Sequence, residues 1–217
     1  MDEFEDPKDS DFDVVTQELE EIADLEKEYQ ETHDGQCLIQ IGRKYNSLAE
    51  VLLETEGYTS EYYNYKKKAA EYYKKIWEAT DQPNALLFAS LFFECSNEHG
   101  KAADCLKVIK NSKGLGDISF FLDQEVLKIV DVLINGSLKK AEKMVQLKSK
   151  NLDHMVEKEI KNTLQFLQYK HEMKEKKNKI KNKNQSNTQN KPAAIGESKN
   201  DAAKGNKKRW KLQFKEK

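Results

Sequence analysis

Proline and glycine are scarce, at 3 and 9 of 217 residues. That scarcity excludes a collagen-like or proline-rich chain and leaves too few turns for a sheet sandwich. No apolar run approaches the roughly 20 residues that a membrane-crossing helix needs. The opening residues, Met1 to Asp6, are acidic, unlike a secretory signal or a transit peptide. Cysteine occurs three times, as Cys37, Cys95 and Cys105. An odd number in a chain read as lacking a signal leads us to expect free thiols in a reducing, cytoplasmic setting.

Signatures of chemistry are also missing. There is no Gly-x-x-x-x-Gly-Lys-Ser/Thr phosphate loop, and Gly114-Leu115-Gly116 reads as a turn. Cys95 and His99 stand four apart with Cys105 nearby, but a structural zinc site wants four ligands. A core cysteine and a helix-end histidine are expected there instead. No Ser/His/Asp or Cys/His arrangement has a recognisable local signature. Glu94, beside Phe92 and Phe93, is the one carboxylate in an apolar setting, and it is expected on the solvent side. The chain is therefore read as non-enzymatic, without metal or cofactor.

What the chain has is charge, at 35% of residues, with a formal net of -1 and a mean hydropathy of -0.89. The near-neutral sum conceals opposed blocks. Residues 1–35 hold 15 acidic and 2 basic residues, a net of -13. Residues 174–217 hold 15 basic and 4 acidic, a net of +11. Between them 20 basic and 19 acidic residues nearly cancel. This divides the chain into an acidic head (1–35), a helical body (36–173) and a basic tail (174–217). The tail lacks apolar residues to offset its ordering entropy and is expected to be disordered.

The hydrophobic pattern of the head's end and of the body is helical throughout, which gives an all-α fold class. Val15, Leu19, Ile22 and Tyr29 predict an amphipathic helix over 12–31. Leu38, Ile41, Tyr45, Leu48 and Leu52 predict a second, stopped by Gly57. Tyr58, Tyr62, Tyr65, Ala69, Tyr72 and Ile76 mark a third. Pro83 opens a run apolar on most sides, from Ala85 to Phe93. Shorter helices follow through Ala103 and Leu106, from an Asp117 N-cap through Phe121, Val126 and Leu133, and from Ser137 through Ala141 and Val145. Asn151 opens the last body helix, ending near residue 172. Small residues recur: Ala49 and Ala89 are 40 apart, Ala69 and Ala103 are 34 apart, and Ala103 and Ala141 are 38 apart. Such spacings predict antiparallel helix pairs of tetratricopeptide type. The pairs are 37–55 with 58–79, 84–98 with 100–111, and 117–134 with 137–149, capped by 151–172.

Two stretches resemble a known family. Arg43-Lys44-Tyr45-Asn46-Ser47-Leu48-Ala49-Glu50-Val51, followed by Tyr62 to Lys67 and Lys68-Ala69-Ala70-Glu71-Tyr72-Tyr73-Lys74, is similar to the SNAP family. These soluble attachment proteins bridge SNARE complexes to the ATPase NSF. Asp117 to Leu122, Leu152-Asp153-His154 and Ile160 to Leu164 are similar to that family's closing helices. The likeness spans roughly residues 40–168. It implies a helical-repeat adaptor that docks a SNARE-type helical bundle in vesicle fusion or intracellular transport, with an AAA ATPase as a further partner. The resemblance puts Arg43 on the SNARE-facing surface. Lys44, Lys67, Lys68 and Lys101 join it as partner-binding candidates because they are charged and lie on or near the inner helices. The chain departs from the family in having one acidic helix where the family has several, and a long basic end where the family is acidic.

Other readings stay open beside this one. A helical scaffold of a cytoskeletal or ciliary assembly would use the tyrosines 58, 62, 63, 65, 72 and 73 as a contact surface, whereas core packing would bury their rings. In the tail, Lys207, Lys208, Arg209 and Lys211 interleave with Trp210 and Phe214. That pattern suits peripheral contact with an anionic membrane or with RNA phosphates and bases. A nucleic-acid-associated factor acting through the tail is the remaining alternative.

Overall fold

The computed structural model describes residues 7–111, 124–148 and 153–189. Every element among them is an α-helix: α1 (Pro7–Thr32), α2 (Gly35–Thr55), α3 (Ser60–Thr80), α4 (Pro83–Cys95), α5 (His99–Asn111), α6 (Gln124–Asn135), α7 (Leu138–Lys148) and α8 (His154–Gln189). No helix among the described residues is long and apolar enough to cross a membrane. The chain divides into two compact units, residues 1–175 and 176–217. The helix starts expected at Asp117 and Asn151, the Gly114 turn and the tail residues 207–214 lie outside the described residues.

Local chemistry explains most boundaries. The Asp34 carboxylate accepts the backbone N–H of Gln36 at 2.9 Å and caps α2, and Thr59 caps α3 by accepting from Tyr62 at 3.2 Å. Asp81 ends α3 in the left-handed region, with φ 53° and its N–H on the Trp77 carbonyl. Pro83 occupies the first turn of α4, where its missing N–H costs nothing. Ser137 accepts from Lys140 at the start of α7. Asp153 accepts from Met155 and Val156 at the start of α8.

In the first unit α1 to α5 pack each against the next, α6 lies on α4 and α5, and α7 packs on α6. One apolar core runs through all of them, and Ile22 of α1 and Ile160 of α8 belong to it. At its centre is α4, with Leu86, Leu87, Leu91, Phe92 and Phe93 almost fully buried. Each such side chain contributes roughly 1.5–3 kcal/mol. Because neighbours surround α4, Glu94 has no solvent side. It is 3% exposed rather than facing water as the sequence led us to expect, and His99 meets its carboxylate at 2.8 Å.

Two further expectations shift by one residue. On α5 the fully buried alanine is Ala102, not Ala103, which is half-buried. On α3 the buried stripe is Tyr62, Lys66, Ala69, Ala70, Tyr73 and Ile76, so Tyr73 rather than Tyr72 faces the core. Tyr58 lies in the turn before α3 rather than on it. The last helix also runs on. Its backbone stays helical to Gln189, past the end expected near residue 172, because lysine, glutamate and glutamine lose little freedom in a helix.

The α2–α3 contact is close enough to demand glycine. A Cβ on Gly42 would stand 3.0 Å from two ring carbons of Tyr73. Gly42→Val is expected to overpack this contact and to destabilise the body by about 1–3 kcal/mol, read as a lower denaturant midpoint with an unchanged slope.

Candidate functional site

Side chains of the chain's own last helix, α8, reach across to several earlier helices. Four helices and one turn meet it through side chains. Glu50 of α2 accepts from Lys158 at 2.7 Å and from Asn162 at 3.3 Å. Cys95 of α4 donates to Thr163 at 3.4 Å, and Gln168 donates to Glu142 of α7 at 2.9 Å. The Phe166 ring is fully buried, with the Tyr58 and Tyr63 rings 5.6 and 6.1 Å away. Tyr169 lies against Tyr58 at 4.4 Å. The sequence led us to expect a helix that caps the end of the stack. Instead α8 lies along side chains of α2, α3, α4 and α7.

Two charges are buried beneath it. Lys66 is 1% exposed and Glu159 5%. The Lys66 ammonium donates to Asn46 Oδ1 at 2.6 Å, and Asn46 Nδ2 donates to Glu159 Oε1 at 3.0 Å. The second carboxylate oxygen, Glu159 Oε2, has no hydrogen bond and is reached by Lys66 at 3.5 Å. The Lys66 ammonium also stands 4.9 Å from the Phe92 ring centre, a cation–π contact.

The five cations expected to bind a partner lie in four places. Arg43 is exposed and lines a pocket of about 320 Å³ between α2, α4 and the start of α8, with Tyr73, Phe92, Lys158 and Glu159. Lys44 turns to α1, where it pairs with Glu18 at 2.9 Å and with Glu21. Hydrogen bonding to Glu21 and Glu18 holds its ammonium above the usual lysine range. Lys68 stands 4.8 Å over the Tyr45 ring. Lys67 and Lys101 come together on Glu98, at 3.1 and 3.9 Å, and Lys101 also reaches Glu71 at 3.7 Å.

Lys101 stands at the edge of an open groove of about 560 Å³ between α3 and α5. Trp77, Leu86, Phe93 and Cys105 supply its apolar lining, and Lys74 and Glu78 its charged edge. Burial pushes the Cys105 thiol up to about 11, so it is not a ready nucleophile. Cys95 is buried on Thr163, and His99 is engaged by Glu94. Among the described residues no group of three or more His, Cys, Asp or Glu side chains is placed to hold a metal ion.

The tyrosines build the wall under α8 and the contact with α1. Tyr45 stacks between Tyr65 and Tyr72, with ring centres 6.1 and 5.8 Å apart. Tyr72 donates to Glu26 of α1. Reading the sequence missed the Lys66–Asn46–Glu159 network. The available signal was a lysine at position 66, in step with Tyr62, Ala69 and Tyr73 on the buried side of α3. No family model, no curated protein and no solved structure matches the chain.

Two outcomes follow. Glu159→Leu leaves the Lys66 charge buried without its counter-ion and is expected to cost about 3–5 kcal/mol, whereas Lys66→Met with Glu159→Leu recovers most of that loss. A double-mutant cycle by chemical denaturation measures the coupling. The tyrosines give the second. Burial pushes Tyr58 up to about 12 and raises Tyr62, Tyr72 and Tyr73 above the ordinary phenol range. A raised folded value favours the protonated phenol. The stability it confers is therefore complete below pH 10 and is lost as pH climbs towards 12. Tyrosinate absorbance at pH 11 should be markedly lower in the native chain than in the urea-unfolded one.

Proposed function

We propose that the chain is a non-catalytic protein-binding adaptor of the SNAP kind, built from tetratricopeptide-like helix pairs. It would dock a SNARE-type helical bundle in vesicle fusion or intracellular transport. The observation that supports this best is the open groove between α3 and α5. Its apolar lining of Trp77, Leu86 and Phe93 is edged by charges, and the half-buried Lys67 and the exposed Lys101 converge on Glu98 beside it. An apolar channel with a charged rim is the form in which a groove takes the apolar stripe of a partner helix. Since α8 covers side chains of α2 and α4, the partner is assigned to the α3–α5 groove and not to the neighbourhood of Arg43. An AAA ATPase would be recruited by a different surface.

The exposed ion pairs of Lys67 and Lys101 add little to stability, so reversing their charges leaves the fold intact. Lys67→Glu with Lys101→Glu is expected to weaken capture of an assembled SNARE bundle by roughly tenfold or more, while Arg43→Glu leaves it nearly unchanged. Capture indifferent to the double reversal, or no capture by the unaltered chain, would overturn the reading.

A further inference from the structure

Many lysines of the first unit are matched by carboxylates or rings, although Lys27, Lys107, Lys139, Lys143 and Lys174 stand exposed at scattered positions. Lys44, Lys66, Lys67, Lys101, Lys110 and Lys158 pair with acids on other helices or in neighbouring turns, and Lys68, Lys75 and Lys170 lie over aromatic rings. The second unit gathers unmatched lysines into one short stretch. There α8 carries Lys176, Lys177, Lys179 and Lys181, all exposed, and no described carboxylate pairs with any of them. From residue 176 to the end, the sequence offers only Glu197, Asp201 and Glu216 as acids.

At about 1.5 Å rise per residue these four charges lie roughly 2.5 Å apart along the helix axis. Duplex DNA carries one negative charge per about 1.7 Å of its axis, so the two densities are of the same order. The angular spread matters as much. At about 100° per residue the four lysines stand on opposite sides of the helix and not in one stripe. A flat anionic surface meets one side only. The major groove, about 12 Å wide with phosphates on both walls, admits a helix and meets both sides. A membrane surface is disfavoured further because Ile180, at 59% exposure, is the one apolar residue in this stretch, and an interfacial helix needs a whole apolar face.

We infer that the exposed stretch of α8 from Lys176 to Lys181 is a duplex-DNA-binding element that grips phosphates electrostatically and does not read bases. This does not depend on the adaptor reading, which concerns the first unit. The test uses the full chain and a labelled 20-base-pair DNA duplex, with fluorescence anisotropy over a salt series. Binding should be tight at low salt and fall steeply as salt rises. Replacing Lys176, Lys177, Lys179 and Lys181 with glutamine should flatten the salt slope by about 3–4, at roughly 0.9 per phosphate contact. Arginine at the same four positions should restore it. Circular dichroism of each variant should show the body folded, since all four side chains are exposed. Three results would overturn the inference: no binding by the unaltered chain at 50 mM salt, an unchanged slope in the glutamine variant, or tighter binding to phosphatidylserine vesicles than to the duplex. Complete loss of binding when only Lys207, Lys208, Arg209 and Lys211 are replaced would also overturn it, by moving the site to that cluster.

Discussion

The first unit depends on one costly contact, the Lys66 ammonium held beside Glu159 with Asn46 between them. Taking two such charges out of water costs several kcal/mol per ion, and their attraction repays this only when geometry and hydrogen bonds are right. The same cost fixes position. Sliding α8 by one turn, about 5.4 Å, would carry Glu159 away from Lys66 and leave both charges stranded. Leucines and phenylalanines tolerate small displacements, but a buried ion pair does not. The aromatic contacts of Phe166 and Tyr169 with Tyr58 supply the apolar area, and the ion pair decides the register in which that area is buried.

Beyond this pair, charge is arranged so that the body is locally neutral. Lys44 draws α1 onto α2 through Glu18 and Glu21, Lys110 draws α5 to Asp131 of α6, and Glu50 holds Lys158 of α8. Hydrogen bonding to Lys67 holds the Glu98 carboxyl below its ordinary range. Acidic and basic residues thus meet across helices, and the excess positive charge of the described chain falls in the second unit. The two functional readings follow that division. An apolar groove suits a protein helix, and an unneutralised basic helix suits a polyanion.

Much of the helical order was legible because it is local. Pro83 and Ser137 announce helix starts by chemistry confined to one turn, and the apolar run from Ala85 to Phe93 signals a helix surrounded by others. The extension of α8 was hidden, since a lysine- and asparagine-rich segment reads as unpacked whether or not its backbone is helical. The site was less legible. Lys66 and Glu159 are 93 positions apart, and a charged residue read alone is assigned to the surface. Glu94 failed the same test: its burial comes from the helices packed around α4, which the residues beside it do not announce. Arg43, Lys44 and Lys68 were grouped by charge, but packing sends them to different neighbours.

The span of these long-range contacts bears on how the chain assembles. Helices α2 to α5 join neighbours in sequence and close quickly, because short loops cost little entropy. During synthesis, Lys66 and Asn46 would emerge and pack long before Glu159 leaves the ribosome. Until then the nascent body carries a lysine half withdrawn from water and an uncovered ring at Tyr58. The last helix therefore completes the body as well as covering it, since it brings both the counter-ion of Lys66 and the rings that pack on Tyr58.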